Sequence, residues 1–357
     1  MDFVELNQKY EAWLRTQLPV IEIDLELKHQ RMRDNPFSFL RASFFRWSDL
    51  WQKHMQAFHS APKILAIGDL HIENFGTWRD LEGRLIWGVN DFDEACEMPY
   101  AIDLIRLATS ACLASSCEHL KLSCKQITQS ILKGYQEGLV MGGKAFILEE
   151  EHAFLREVAL NAIRDPKIFF EKIASRFPTD IKPSSEVKSL LVKHLPKGSK
   201  NLSFAHRPAG LGSLGRPRFI VCADFGGGLI VREAKALVPS AFLWSIQKMS
   251  KKLYCQKTLN QAIRVPDPML YLSNKWVIKR LAPHCSKIEF KEILKKYDGI
   301  KLLHAMGFEL ANVHMSGRKS ILKDMKNRRP ADWIRAVELM CRETLKDWQD
   351  WVKFTKN

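Results

Sequence analysis

Gly68-Asp69-Leu70-His71-Ile72-Glu73-Asn74-Phe75-Gly76, followed by Val89-Asn90-Asp91-Phe92-Asp93-Glu94, is the stretch around which the chain is organised. Just ahead of it, residues 64–67 (Ile-Leu-Ala-Ile) predict a short buried strand that delivers Asp69 into a tight, glycine-bounded loop. A second apolar run, Leu85-Ile86-Trp87-Gly88-Val89, predicts another strand, which delivers Asp91. Two strand ends then present an Asp, an Asn and a second acidic cluster at neighbouring loops. Phosphoryl transfer needs such a set. One carboxylate orients a hydroxyl nucleophile, while an amide oxygen and a second carboxylate hold magnesium on the phosphates.

The spacing sharpens this expectation. Asp69 to Asn74 is D-x-x-x-x-N, the interval of a kinase catalytic loop, in which the Asp is the base and the Asn a metal ligand. Asp91-Phe92 falls where the metal-binding Asp-Phe of a kinase belongs. These residues resemble the aminoglycoside-phosphotransferase and choline-kinase branch of the protein-kinase-like fold, whose loop reads H-G-D-L-H-x-x-N with I-D-F-E/D following. That branch also carries an Asp-Leu pair at the start of a helix a little further on, and Asp103-Leu104 matches it. The bland reading is that Asp and Asn in loops form turns. Gly-Asp-x-His also occurs in two-metal phosphoesterases, but none of the eleven histidines here sits in the Gly-Asn-His string those enzymes need.

The 357 residues suffice for two lobes with their own cores, and 46% apolar residues with ten Trp and twenty Phe describe a globular chain. No apolar run is long enough to span a membrane, and Met1-Asp2-Phe3-Val4-Glu5 does not open a secretory signal. The eight cysteines are scattered without C-x-x-C pairs, so the expectation is a reduced, cytoplasmic protein with no zinc site. The net charge of +15 suits a nucleotide or another anion, or is simply a solvated basic surface. Because it is diffuse and no aromatic–basic ladder accompanies it, a nucleic-acid-binding module is disfavoured.

Taken in order, residues 1–60 read as helices broken at Asp34-Asn35-Pro36, with Lys28, Arg31, Arg33 and Arg41 either facing phosphate or lying on helix surface. Residues 101–195 read as entirely helical, and Pro196 to Asn201 has linker composition. Then comes Gly210-Leu211-Gly212-Ser213-Leu214-Gly215, a G-x-G-x-x-G that is weak alone. Its neighbours predict strands at 218–223 and 229–232 joined by a turn at Gly226-Gly227-Gly228, a helix from Ser240 to about Gln261, and a hairpin over 269–278. A glycine turn in a strand hairpin, with Lys235 on the next strand, is how kinases cover and clamp ATP phosphates. Arg232 is the other cation in range.

In a kinase the glycine loop precedes the catalytic loop. Here Asp69 precedes Gly210, so the reading implies a circular permutation. The expected fold class is α+β: a two-lobed, protein-kinase-like fold with a mostly helical large lobe (1–196), a small antiparallel-sheet lobe (201–285) and a helical return (286–357). Residues 300–315 form the amphipathic helix of that return.

Nearly end to end, the chain resembles the bacterial domain of unknown function numbered 2252. The matching pieces are Met32 with Pro36 to Arg41, Gly68 to Gly76, Asn90 to Glu94, Asp103 to Ala108, Gly210 to Gly215, Lys235 before Pro239-Ser240, and Ala311 to Gly317. That resemblance carries no settled activity, so the reaction rests on the chemistry of the residues.

The expectation is therefore an ATP- and magnesium-dependent phosphotransferase acting on an unidentified hydroxyl acceptor, small molecule or protein. Asp69 orients the acceptor proton, and Asn74 and Asp91 hold magnesium with Asp93 as a second ligand. The backbone of Gly210, Gly212, Ser213 and Gly215 covers the phosphates, and Lys235 or Arg232 neutralises them. His71 shapes the loop; Glu73 and Glu94 are structural or substrate-facing. Residues 240–266 contain no Glu or Asp to pair with Lys235, which leaves Glu233, Asp91 or Asp93 as its partner. The alternatives are a nucleotide-binding scaffold without catalysis and a nucleotidyltransferase that passes on AMP.

Overall fold

A computed structural model describes residues 1–117, 122–150, 152–162, 165–177, 180–248, 250–273, 275–285 and 296–356. Four helices come first: α1 (Phe3–Gln17), α2 (Glu22–Arg31), α3 (Pro36–Ala42) and α4 (Phe44–His54). Asp2 caps α1 by accepting from the Glu5 N–H, and Asn35 caps α3 by accepting from the Ser38 N–H, with Pro36 at its first position. Four short strands follow, β1 (Lys63–Ala66), β2 (Phe75–Arg79), β3 (Leu85–Val89) and β4 (Cys96–Pro99). β1 pairs antiparallel with β4, and β2 with β3. The loops leaving β1 and β3 are the two that carry Asp69 and Asp91.

Next come α5 (Ala101–Cys117), α6 (Cys124–Met141), β5 (Phe146–Ile147), α7 (Ala153–Ala162), α8 (Pro166–Ala174) and α9 (Ser185–Lys193). The region is thus not wholly helical: β5 adds a short edge to β3. The second half holds β6 (Lys200–His206), β7 (Arg218–Phe225), β8 (Gly228–Ala236), α10 (Ala241–Ser245), α11 (Cys255–Gln261), β9 (Tyr271–Ser273) and β10 (Trp276–Leu281). Its five strands form one antiparallel sheet in the order β6-β7-β8-β10-β9. α12 (Lys296–Val313), α13 (Arg318–Lys326) and α14 (Pro330–Phe354) complete the chain. No helix among the described residues is long and apolar enough to cross a membrane.

The single helix expected from Ser240 to Gln261 is two short ones. Gln247 adopts a left-handed φ of 55°, and the Lys248 N–H turns back to the Leu243 carbonyl at 2.8 Å, which closes α10. The basic run after it gives no apolar stripe on which to resume.

Alternation along the strands gives the sheet two faces. Phe219, Val221, Ala234 and Ile278 pack with Val187 and Leu191 of α9. Ala205, Ile220 and Val231 pack with Phe169 and Ile173 of α8. Both helices, grouped with the helical part in the sequence reading, therefore cover the sheet. The main core runs from α1 to α14 and takes in Leu211, Leu214 and Phe242, so the glycine turn and α10 are fastened to the helical body.

α12 threads between α6 and β3. Gly134 and Gly307 let α6 and α12 cross closely: a Cβ on Gly134 would meet the His304 carbonyl, and one on Gly307 the Ile131 carbonyl. Against β3, the Glu309 carboxylate accepts from the Val89 N–H (3.1 Å) and from Asn312 Nδ2 (2.8 Å). Burial pushes its carboxyl up to about 7, against the opposing pull of Asn312 and Arg264. A carboxyl raised on folding is favoured while protonated, so its contribution is present below pH 4.5, its unfolded value, and lost as pH rises through 7. The expected loss is about 3 kcal/mol across that window. Urea unfolding of wild type and Glu309→Gln at pH 5 and pH 8 tests it. The wild type should lose the larger share of its stability; equal losses would place the titration elsewhere.

Candidate active site at the sheet–helix cleft

Asp69 follows β1 through Gly68, whose φ of 85° and contact with the Glu94 carbonyl leave no room for a side chain. The loop is pinned from behind by Asp103, the third residue of α5. Its carboxylate accepts from the Ile67 N–H (2.7 Å) and the Gly68 N–H (2.8 Å). His314, just past α12, meets the same carboxylate at 3.0 Å, and its other ring nitrogen meets Tyr135 Oη at 2.9 Å. Asp103, Arg106 and His314, taken from two distant matching motifs, thus gather behind one loop.

Arg106 lies one turn along α5 from Asp103. Its Nε donates to Asp69 Oδ1 at 3.0 Å, its Nη2 to the same oxygen and to the Leu40 carbonyl at 3.0 Å, and its side chain is 0% exposed. The guanidinium also lies over the rings of Phe44 and Trp47. Burial pushes the Asp69 carboxyl above its ordinary value, with the Arg106 charge opposing. Asn74 donates its amide nitrogen to the Asp69 carbonyl (3.1 Å) and the Asp91 carbonyl (3.3 Å), tying the two loops together and reserving its amide oxygen as an acceptor.

From the sheet, Lys235 reaches across to the second loop. Its ammonium donates to Asp91 Oδ1 (2.9 Å) and Oδ2 (2.8 Å), and lies 2.5 Å from Asp93 Oδ2. Lys235 is 3% exposed, while the Asp91 side chain is 42% exposed to the cleft. Burial opposes the charge on Lys235, but the two carboxylates hold its pKa above the ordinary lysine value. Burial and the charge of Asp91 push Asp93 up. Partial burial opposes the charge on Asp91, but Lys235 and Lys279 hold its carboxyl well below the usual range. Lys279 of β10 shares the sheet face of Lys235 and donates to the Asn90 carbonyl at 2.5 Å.

The remaining acidic residues have structural partners. Glu233, next inward on the same face, is paired with Arg218 and Arg207, which hold its carboxyl at about 2 despite burial. Glu94 is bonded to Arg216 (2.6 Å) and to the Ala241 N–H (2.6 Å), fastening the end of the glycine turn and the start of α10. Glu73 pairs with Arg41 at 2.9 Å.

The glycine turn between β6 and β7 closes over this set. Gly210 has φ 74°, and a Cβ there would meet Ser213 Oγ and Arg218 Nη2; a Cβ on Gly212 would meet the Arg41 carbonyl at 2.8 Å and Asp69 Oδ2 at 3.1 Å. Gly215, at φ 92°, turns the chain into β7. Ser213 Oγ accepts from Arg218 Nη2 at 2.6 Å.

Two clefts meet beneath the turn and share Asn74, Asp91 and Gly210. The larger, about 170 Å³, is lined by Lys235, Lys279 and Arg218 together with Val277, Leu281 and Phe169, Val277 standing directly across from Lys235 on the neighbouring strand. The smaller, about 60 Å³, holds Asp69, His71, Asp93, Arg41 and Arg216.

Of the predicted residues, Asp69, Asn74, Asp91, Asp93, Gly210, Gly212 and Ser213 line these clefts, and Lys235 with them. Arg232 does not. An odd separation on β8 turns it to the α9 face, where it donates to the His194 carbonyl at 3.2 Å. The same period-2 count exposes that in the sequence. Among the early basic residues, Arg41 lines the smaller cleft, Lys28 is buried behind it, and Arg31 and Arg33 are exposed. Sequence reasoning missed Arg106 as the partner of Asp69, and Lys279, whose signal is its register opposite Glu233.

Residues 21–168 match the family described as an uncharacterized protein conserved in bacteria, DUF2252. The matched span contains Asp69, Asn74, Asp91, Asp93 and Arg106 and ends before the glycine turn and Lys235. No curated protein and no solved structure matches the chain.

Proposed function

We propose that this chain is an ATP- and magnesium-dependent phosphotransferase of circularly permuted, protein-kinase-like build, acting on a hydroxyl acceptor. The observation that carries the reading is the Lys235 ammonium, on the third strand of a five-stranded sheet, bonded to Asp91 and Asp93 directly beneath a glycine turn. A lysine on that strand, a glycine turn in the hairpin before it and an acidic loop below are the parts that grip nucleotide phosphates.

The donor set fits a hard cation. Asn74, Asp91 and Asp93 offer amide and carboxylate oxygens in these clefts, whose described lining otherwise includes one imidazole, His71, and one thiol, Cys285. Asn74, Asp91 and Asp93 would hold the magnesium, which would supply positive charge against the phosphates. Lys235 is then free to turn one ammonium proton toward a phosphate oxygen while remaining paired with Asp93. The apolar side chains in the larger cleft, Val277, Leu281 and Phe169, suit a planar base. Asp69 faces the smaller cleft, held by Arg106, and accepts or orients the acceptor's hydroxyl proton. Arg41 and Arg216 line the same cleft, which suits a polar or anionic acceptor.

Thermal unfolding with and without ATP and magnesium tests this. Ligand at about 100 times its Kd stabilises the folded state by about 2.7 kcal/mol. The wild type should show a magnesium-dependent rise in Tm of several degrees, and Asp91→Ala should show none. A variant that binds Mg-ATP as tightly as wild type would sink the site assignment. Where transfer is found, the mass of the product separates added phosphate from added AMP.

A further inference from the structure

Three of the cysteines that look scattered in sequence are neighbours in space. Cys112 from α5, Cys124 at the first position of α6 and Cys341 from α14 bring their sulfurs all within 4.8 Å of one another. Each is a free thiol; Cys112 and Cys341 are buried and Cys124 is half-buried. The start of α6 is fixed by a reciprocal cap. Ser123 Oγ accepts from the Gln126 N–H at 3.2 Å, and Gln126 Oε1 accepts from the Ser123 N–H at 3.1 Å. Cys124 is therefore held toward the other two. A surface cleft of about 400 Å³, with Glu338, Arg342 and Lys346 on its wall, opens onto Cys124 and Cys341.

We propose that Cys112, Cys124 and Cys341 bind a thiophilic divalent cation of the zinc type, with the fourth coordination position facing the surface cleft. A disulfide uses two sulfurs and leaves the third idle, whereas a tetrahedral cation uses all three. At a Zn–S distance of about 2.3 Å, tetrahedral sulfurs stand roughly 3.8 Å apart, so the cluster need contract only slightly. Water or the Glu338 carboxylate completes the shell from the cleft. Three thiolates around a divalent ion carry one net negative charge, which Arg342 and Lys346 on the cleft wall complement. Cys112 lies six residues beyond Arg106 on α5, about 9 Å along the axis at ~1.5 Å per residue, so the ion would sit apart from the nucleotide cleft. It would fasten the last long helix to the one that holds Asp69.

The test uses the full chain, reduced and stripped of metal, titrated with Co²⁺ as a coloured stand-in for Zn²⁺. One equivalent should bind with a thiolate-to-cobalt charge-transfer band, Zn²⁺ should displace it, and Zn²⁺ should raise Tm. Cys124→Ser should lose the band, while Cys222→Ser, on the distant sheet, should keep it. Should Cys124→Ser fail to fold, alkylation of the wild type decides, with Zn²⁺ expected to protect residues 112, 124 and 341 together. No band and no joint protection in excess metal, or a band undiminished in folded Cys124→Ser, overturns the site.

Discussion

Asp69→Asn is expected to lower ATP turnover by roughly 10²–10⁴-fold, the usual worth of a positioned general base, while the chain stays folded and keeps its Mg-ATP-dependent rise in Tm. Asn retains an oxygen for Arg106 but cannot accept the acceptor's proton. Asp69→Ala behaves differently. It strands the Arg106 guanidinium at 0% exposure with the Leu40 carbonyl and two aromatic faces for company. Removing one partner of a buried ion pair costs about 3–5 kcal/mol, so the alanine variant should unfold at visibly lower urea. The two measurements separate chemistry from architecture. ADP release by Asp69→Asn at the wild-type rate would remove Asp69 from the mechanism, and equal stability of the two variants would remove the pairing argument.

Lys235→Met is the second large effect. It withdraws the one ammonium that Asp91 and Asp93 share and leaves two carboxylates facing each other. The expected cost at neutral pH is about 3 kcal/mol, at the low end for a broken buried pair because Asp91 is 42% exposed and keeps some water. A divalent cation can replace the missing charge. Millimolar magnesium without nucleotide should therefore restore much of the lost stability in Lys235→Met and change the wild type little. If magnesium rescues neither, the carboxylates do not form a cation site.

Much of this arrangement is legible in the chain because strands announce themselves by short apolar runs and glycine punctuation. The strands before Asp69 and Asp91, the hairpin at Gly226-Gly227-Gly228 and the helix from 296 to 313 stand close to where the pattern puts them. The cleft-facing cations are partly legible too: on a strand, residues 233 and 235 share a face and 232 takes the other. Less visible is anything decided by helix-to-helix meeting. Arg106 reads as one more charge on an apolar helix until α5 is set behind the Asp69 loop. Cys112, Cys124 and Cys341 show no metal spacing, because their proximity comes from the consecutive helices α5 and α6 meeting α14, more than 200 residues further on. The break after α10 escapes periodicity because a single left-handed residue, Gln247, ends the helix.

The tie from Asp103 to His314 joins positions 211 apart, and that from Lys235 to Asp91 joins positions 144 apart. Contacts of such long reach form slowly, since the intervening chain must be ordered first. During synthesis, the segment bearing Asp69 and Asp91 therefore leaves the ribosome long before either clasp exists. The protein cannot acquire a finished centre until its last third has been made, and until then the Asp69 loop is held only by ties within the first half, from Asp103 and Arg106.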